Sequence, residues 1–193
     1  MHSLLSVFLF AAPMTSDYSD LQAALAKQDF QLADRLTRDH LDRIVNRLPP
    51  VENTSFDQFS ARHSQIPCQD LATIDQLWRT ASRDRFGFTP QARIWNRFQT
   101  TSPTERSFLQ FAHAIGWLPK IEPNWSVSYR IPEELNYSLT APIGHLPAVG
   151  IWEAVRWDAE VFGVAFLDSA SRDKVLGRVY NLMPRVAACQ LQS

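Results

Sequence analysis

At 193 residues and 22.1 kDa, the chain has room for one ordinary domain with a small appendage. Hydrophobic residues at 45% and charged residues at 20% exclude an intrinsically disordered chain. With 19 basic and 20 acidic side chains the formal net charge is −1, which argues against a broad surface for nucleic acid or anionic lipid.

The apolar run Ser3 to Ala12 (SLLSVFLFAA) is too short for a bilayer, which needs about 20 residues. It reads as a signal-peptide core, although no Lys or Arg precedes it, or as a segment upstream of a true start at Met14. Residues 1–17 are therefore set apart from residues 18–193. Ser19 to Gln28 is rich in helix formers, and Asp29 is placed to cap a second helix from Phe30 to Leu48, stopped by Pro49-Pro50. Val51 to Gln65 reads as a loop with a short helix. A further helix opens near Pro67, with Asp70 as its expected N-cap and Leu71, Ile74, Leu77 and Trp78 as its buried stripe. Thr89-Pro90 signals a helix to about Phe98, and Ser102-Pro103-Thr104-Glu105 forms a capping box for one that ends at Gly116.

Trp117 to Pro147 holds five prolines and no helical period, a long irregular stretch of the kind that usually serves function. Its one weak strand signal is Ser126 to Arg130. Ile151 to Phe166 resumes a helical period, and a last helix is expected from Ser169 or Ser171 to Leu182, ended by Pro184.

No GxSxG elbow or HExxH helix is present. Cys68 and Cys189 match neither a disulfide framework nor a zinc site, so a reducing compartment is the default. Cys68 could pair with a histidine as a nucleophile, but a small buried cysteine fits it better. His145, in Gly144-His145-Leu146-Pro147, reads as a metal ligand or as a ring bonded to loop carbonyls inside a rigid turn. Capping and an ion pair with Arg79 account for Asp70 and Asp75 better than paired acid and base do. Only three of the basic residues are Lys; the Arg bias suits a planar acid, and genome composition explains it as well. Trp117, Trp125, Tyr129 and Tyr137 are suited to wall a flat ligand, with Arg93, Arg130 and Arg156 for its carboxylates; these rings read equally as core, and the arginines as solvated.

The ordered pieces PCQDL, IDQLW, RFGF and QARIW between Ile66 and Trp95, followed by IGW at 115–117, NW at 124–125 and APIGHLP at 141–147, resemble the core signature of the genomes-uncoupled-4 family. LAKQDFQLADRLT at 25–37 resembles its first helical hairpin, and 175–191 its closing helix and Cys-containing end. The resemblance covers about Tyr18 to Leu191, without the separate N-terminal bundle of many cyanobacterial members. It matches least well over 151–166.

The resemblance implies an all-α core shaped like a cupped hand, with a long irregular loop over a ligand cleft. It implies a non-catalytic protein that binds protoporphyrin IX or its magnesium complex and stimulates magnesium chelatase through the large chelatase subunit, in chlorophyll biosynthesis. Phe88, Arg93, Trp117 and Trp125 carry over as residues that line or shape the cleft. The expected setting is the cyanobacterial cytoplasm or chloroplast stroma, as a monomer with peripheral membrane association and no nucleic-acid partner. The alternatives are a bilin-binding signalling or stress module on the same cleft, and a small enzyme built on Cys68 or His145.

Overall fold

The computed structural model describes residues 17–98, 105–118, 134–148, 151 and 169–191, and all regular structure among them is helical. The first two helices, α1 (Ser19–Ala26) and α2 (Phe30–Val45), form a hairpin. Gln28 takes a left-handed φ of 56°, and Asp29 caps α2 by accepting from the Leu32 N–H at 3.0 Å. The buried positions Phe30, Ala33, Thr37, Leu41 and Val45 keep the helical period. The helix ends three residues before the expected Leu48. A residue preceding proline is disfavoured in the α conformation, and the chain leaves α2 through a tight turn in which Leu48 N–H bonds Val45 O.

Between them, α3 (Gln58–Ala61) and a 3-10 turn (Arg62–Gln65) are the short helix expected within 51–65. Asp57 caps α3 by accepting from the Ser60 N–H at 3.0 Å. Helix α4 (Cys68–Ser82) buries Leu71, Ile74 and Trp78 as read, and Asp75 with them. Its N-cap is Pro67, not Asp70; Asp70 lies in the first turn and accepts from the Tyr18 hydroxyl at 2.5 Å. The Trp78 indole N–H donates to Thr37 Oγ1 at 2.8 Å, satisfying both buried groups.

Arg83, Asp84 and Gly87 all have positive φ (55°, 62° and 124°), which folds 83–87 into a tight connection to α5 (Phe88–Phe98). Helix α6 (Glu105–Ala114) packs on α5 through an edge-on contact of Phe111 with Trp95, centroids 5.2 Å apart. It stops at Gly116, φ 80°, where Trp117 N–H returns to Ala112 O at 2.8 Å.

Beyond Trp117 and Leu118, the long irregular stretch is described over residues 134–147. They are tied to the α4–α5 connection: Gly144 N–H donates to Arg85 O at 2.8 Å and Gly87 N–H to Leu146 O at 2.9 Å. The last helix, α7 (Ser169–Ala188), runs through Pro184 instead of ending there. One lost backbone bond does not stop a helix whose Leu182, Met183 and Val186 are buried on both sides of it.

The structure also corrects the reading of the cysteines. Cys68 and Cys189 form a disulfide with Cα atoms 5.3 Å apart. The start of α4 and the end of α7 meet only in the folded chain, so a separation of 121 residues carries no signal in one dimension. The apolar leader, the capping box up to Thr104, the strand signal at 126–130 and the helical period of 152–166 fall outside the described residues.

Candidate functional site

Some of the side chains singled out by motif come together. Phe88, Trp117 and Pro147 line one small cavity with His63, Gln91 and, from α7, Arg178, Val179, Leu182 and Met183. Its volume is about 10 Å3, room for a single water.

Each wall is placed by a specific bond. Gln91 is buried at the first turn of α5, and its amide N–H2 donates to Gly144 O at 3.0 Å and Pro147 O at 2.8 Å. The Trp117 indole N–H donates to His145 O at 2.7 Å. The His145 ring completes the tie. Its Nε2 accepts from the Asn136 N–H at 3.1 Å, so the proton sits on Nδ1, which donates to Ile115 O at 2.6 Å. Both ring nitrogens are thus engaged with the backbone, and His145 is a structural clamp with no nitrogen left for a metal.

His63 contributes an unsatisfied polar atom to this cavity. Its Nδ1 donates to Phe59 O at 3.0 Å, while the buried Nε2 meets no partner. Burial, and secondarily the Arg178 guanidinium, push its pKa down to about 4, so the ring is neutral at physiological pH. The Arg178 guanidinium lies over the Phe59 ring at 4.7 Å.

A second polar cluster braces the base of α5. The Asp75 carboxylate accepts from Thr89 N–H at 2.8 Å through Oδ1. Its Oδ2 lies 2.7 Å from Thr89 Oγ1 and 3.7 Å from Arg79 Nη1. Asp75 therefore caps a helix other than its own, and the ion pair with Arg79 is present as read. Burial raises its pKa, and the Thr89 and Arg79 contacts oppose the rise.

The expected ligand residues fall into three groups. Phe88 and Trp117 are core side chains, 0% and 2% exposed. They shape the cavity, and their rings have no free face in this structure. Arg93 is exposed two residues beyond Gln91, on the other side of α5 from the cavity. Tyr137 is half-buried against the core. Trp125, Tyr129, Arg130 and Arg156 lie outside the described residues.

A larger groove of about 370 Å3 runs between α1 and α4, lined by Gln22, Leu25, Gln76, Leu77 and their neighbours. It holds none of the expected ligand residues. Among the described residues no cluster of His, Cys, Asp or Glu could hold a metal ion, and no helix is long and apolar enough to cross a membrane.

Sequence reasoning missed Gln91, His63 and the Thr89–Asp75 pair. Gln91 stands inside QARIW and was legible as part of that motif. His63 had no signal, because a lone histidine in a polar stretch is indistinguishable from a solvated one.

The GUN4-like family model matches residues 11–164 of the chain. An uncharacterized ycf53 protein of Porphyra purpurea is 37% identical over 132 residues, 68% of this chain and 49% of that protein. A Ycf53-like protein of Synechocystis is 32% identical over 150 residues, 78% of this chain and 58% of that one. The chloroplastic tetrapyrrole-binding protein of Arabidopsis thaliana is 30% identical over 131 residues, 66% of this chain and 46% of that one. The chain thus spans about half the length of the curated relatives it matches. The ligand-free structure of Arabidopsis thaliana GUN4 superposes with a TM-score of 0.52 at 25% identity, covering 86% of this chain and 95% of that one. GUN4 from Chlamydomonas reinhardtii shares the fold, with a TM-score of 0.55 at 21% identity over 90% of this chain and 92% of that one.

Proposed function

The chain belongs to the GUN4-like family, and from that premise we propose that residues 18–193 form a tetrapyrrole-binding core that carries out no bond-making itself. The observation that carries the reading is the family match across 11–164, together with a relative, 30% identical, that is named for tetrapyrrole binding. The ligand class is protoporphyrin IX or its magnesium complex. The activity is stimulation of magnesium chelatase through its large subunit, in a cyanobacterial cytoplasm or plastid stroma.

The chemistry of the ligand sets what the protein must offer. A porphyrin is a flat apolar disc with two propionates on one edge. Burying several hundred Å2 of it contributes roughly 5–10 kcal/mol at about 25 cal/mol per Å2, before ordering costs. The cavity beneath α7 takes one water, so the macrocycle does not enter it. Phe88 and Trp117 support the cleft from within. Arg93 meets a propionate from solvent, and Trp125, Tyr129, Arg130 and Tyr137 complete the contact. Arginine selects the acidic edge more than it adds affinity.

The enzyme reading is weakened, since in the oxidised chain Cys68 is held in a disulfide and His145 spends both ring nitrogens on the backbone. Titrating deuteroporphyrin into the protein while following Trp fluorescence tests the proposal. Saturable quenching is expected, with Arg93→Ala weakening binding by about threefold to tenfold, as fits one exposed charge-assisted contact. Trp125→Ala is expected to weaken it as much or more. A protein that binds neither porphyrin nor bilin would end this reading; preference for a bilin would favour the signalling alternative.

A further inference from the structure

The last residues of the chain are held differently from the helix that leads to them. Upstream of Pro184, α7 is fastened by the burial of Leu176, Val179, Leu182 and Met183, three of which wall the cavity. Downstream, residues 185–191 bury only Val186 fully, with Cys189 and Leu191 partly buried against the core. Arg185 Nε donates to Ile66 O at 2.8 Å. Thr89 Oγ1 reaches Leu191 O at 2.6 Å, and Cys189 is bonded to Cys68. Pro184 marks the boundary, because its missing N–H weakens the helical ladder there.

We propose that Cys68–Cys189 is a reversible thiol–disulfide switch that latches the C-terminal segment 185–191 onto the start of α4, where Leu191 also meets Thr89 at the start of α5. Both cysteines are half-buried, so a thiolate reaches them without unfolding the chain. Cys68 is the first residue of α4, where the helix N-terminus stabilises a departing thiolate. The Arg185 guanidinium, anchored two residues away on Ile66 O, adds positive charge on the same side. In compartments that keep thiols reduced, disulfides are more often regulatory than permanent.

The reductant is a dithiol. One of its thiolates attacks Cys189 Sγ, and the Sγ–Sγ bond breaks with its electron pair leaving on Cys68 as thiolate. The second thiol of the reductant then attacks the mixed disulfide and releases Cys189. Two electrons pass to the cysteine pair, the reductant departs as its own disulfide, and both protein sulfurs take up protons according to their pKa. Thr89, which the segment covers, lies between Phe88 and Gln91 of the cavity wall and holds Asp75 through its backbone N–H. Release of the segment exposes that brace to water and loosens the first turn of α5. The latch stands on this geometry alone; its effect on ligand rests on the tetrapyrrole reading.

The test compares the full chain, oxidised and after dithiothreitol reduction with alkylation, by thiol counting and hydrogen exchange. Oxidised protein should show no free thiol, and reduced protein two. Reduction should speed exchange at 186–191, and tryptic cleavage after Arg185, by about tenfold or more, with 176–183 unchanged. Cys189→Ser should match the reduced protein. Thr89→Val, which keeps both cysteines, should loosen 190–191 without reductant. Free thiols in air-oxidised protein, equal exchange in both states, or loosening throughout α4 and α7 would each overturn the switch. Deuteroporphyrin titration of both forms separates the two claims. Weaker binding by the reduced form, by about threefold or more, is expected from lost preorganisation. If neither form binds while exchange still shifts, the ligand proposal fails and the latch stands.

Discussion

Asp34 is fully buried on α2 and accepts from the backbone N–H of Ala148 at 2.6 Å, a bond spanning 114 positions. Replacing it by Ala strands that N–H in the interior, and Asp34→Ala should cost about 1–3 kcal/mol in urea unfolding. His63 sets a pH dependence of its own. The ring titrates near 6.5 when unfolded and near 4 when folded, so below pH 6.5 the unfolded chain binds a proton that the native chain refuses. Stability therefore falls as pH drops from about 6.5 to 4, by roughly 3 kcal/mol in all. Asp20 and Asp57, whose folded pKa values are lowered, lose their contribution only as pH falls further, through and below 3.8. Urea midpoints at pH 7 and 4.5 measure the effect. His63→Phe should flatten it, and a variant as acid-sensitive as the parent would assign it elsewhere.

At the scale of the element, α7 shows how evenly its last turn is balanced. Burying Val186 contributes about 1.5–3 kcal/mol and each hydrogen bond about 1 kcal/mol. The disulfide contributes about 2–4 kcal/mol, a share close to that of the other contacts, so its loss removes a large part of what holds the segment down. The upstream half cannot respond in the same way, because four buried apolar side chains outweigh one cross-link. That half is also closely packed. A Cβ on Gly177 would come within 2.9 Å of Phe56 Cδ1 and Ser60 Cβ. Gly177→Ala should destabilise the protein by about 1–3 kcal/mol, read as a lower Tm with α3 and α7 exchanging faster. An unchanged Tm would show that Phe56 yields at no cost.

For the molecule as a whole, helix positions were written locally. Asp29 before a periodic run, Pro after Thr89 and Gly after Ile115 each act within one turn, so a one-dimensional reading finds them. The end of α7 was misjudged because packing, not the proline alone, sets that limit, and α2 ends early in the tight turn that leads into Pro49. Cavity membership was only half legible. Phe88 and Trp117 were found through motifs, yet they sit inside the protein, while Arg93 faces solvent on the opposite side of α5. Hydrophobic pattern reports that a ring is buried, and not whether protein or ligand covers it. The Cys68–Cys189 bond, the Asp34–Ala148 bond and the Asp75 cap on another helix were decided by tertiary structure alone. Each joins groups with no local relation in the chain, brought within bonding distance only when the helices close on a shared core.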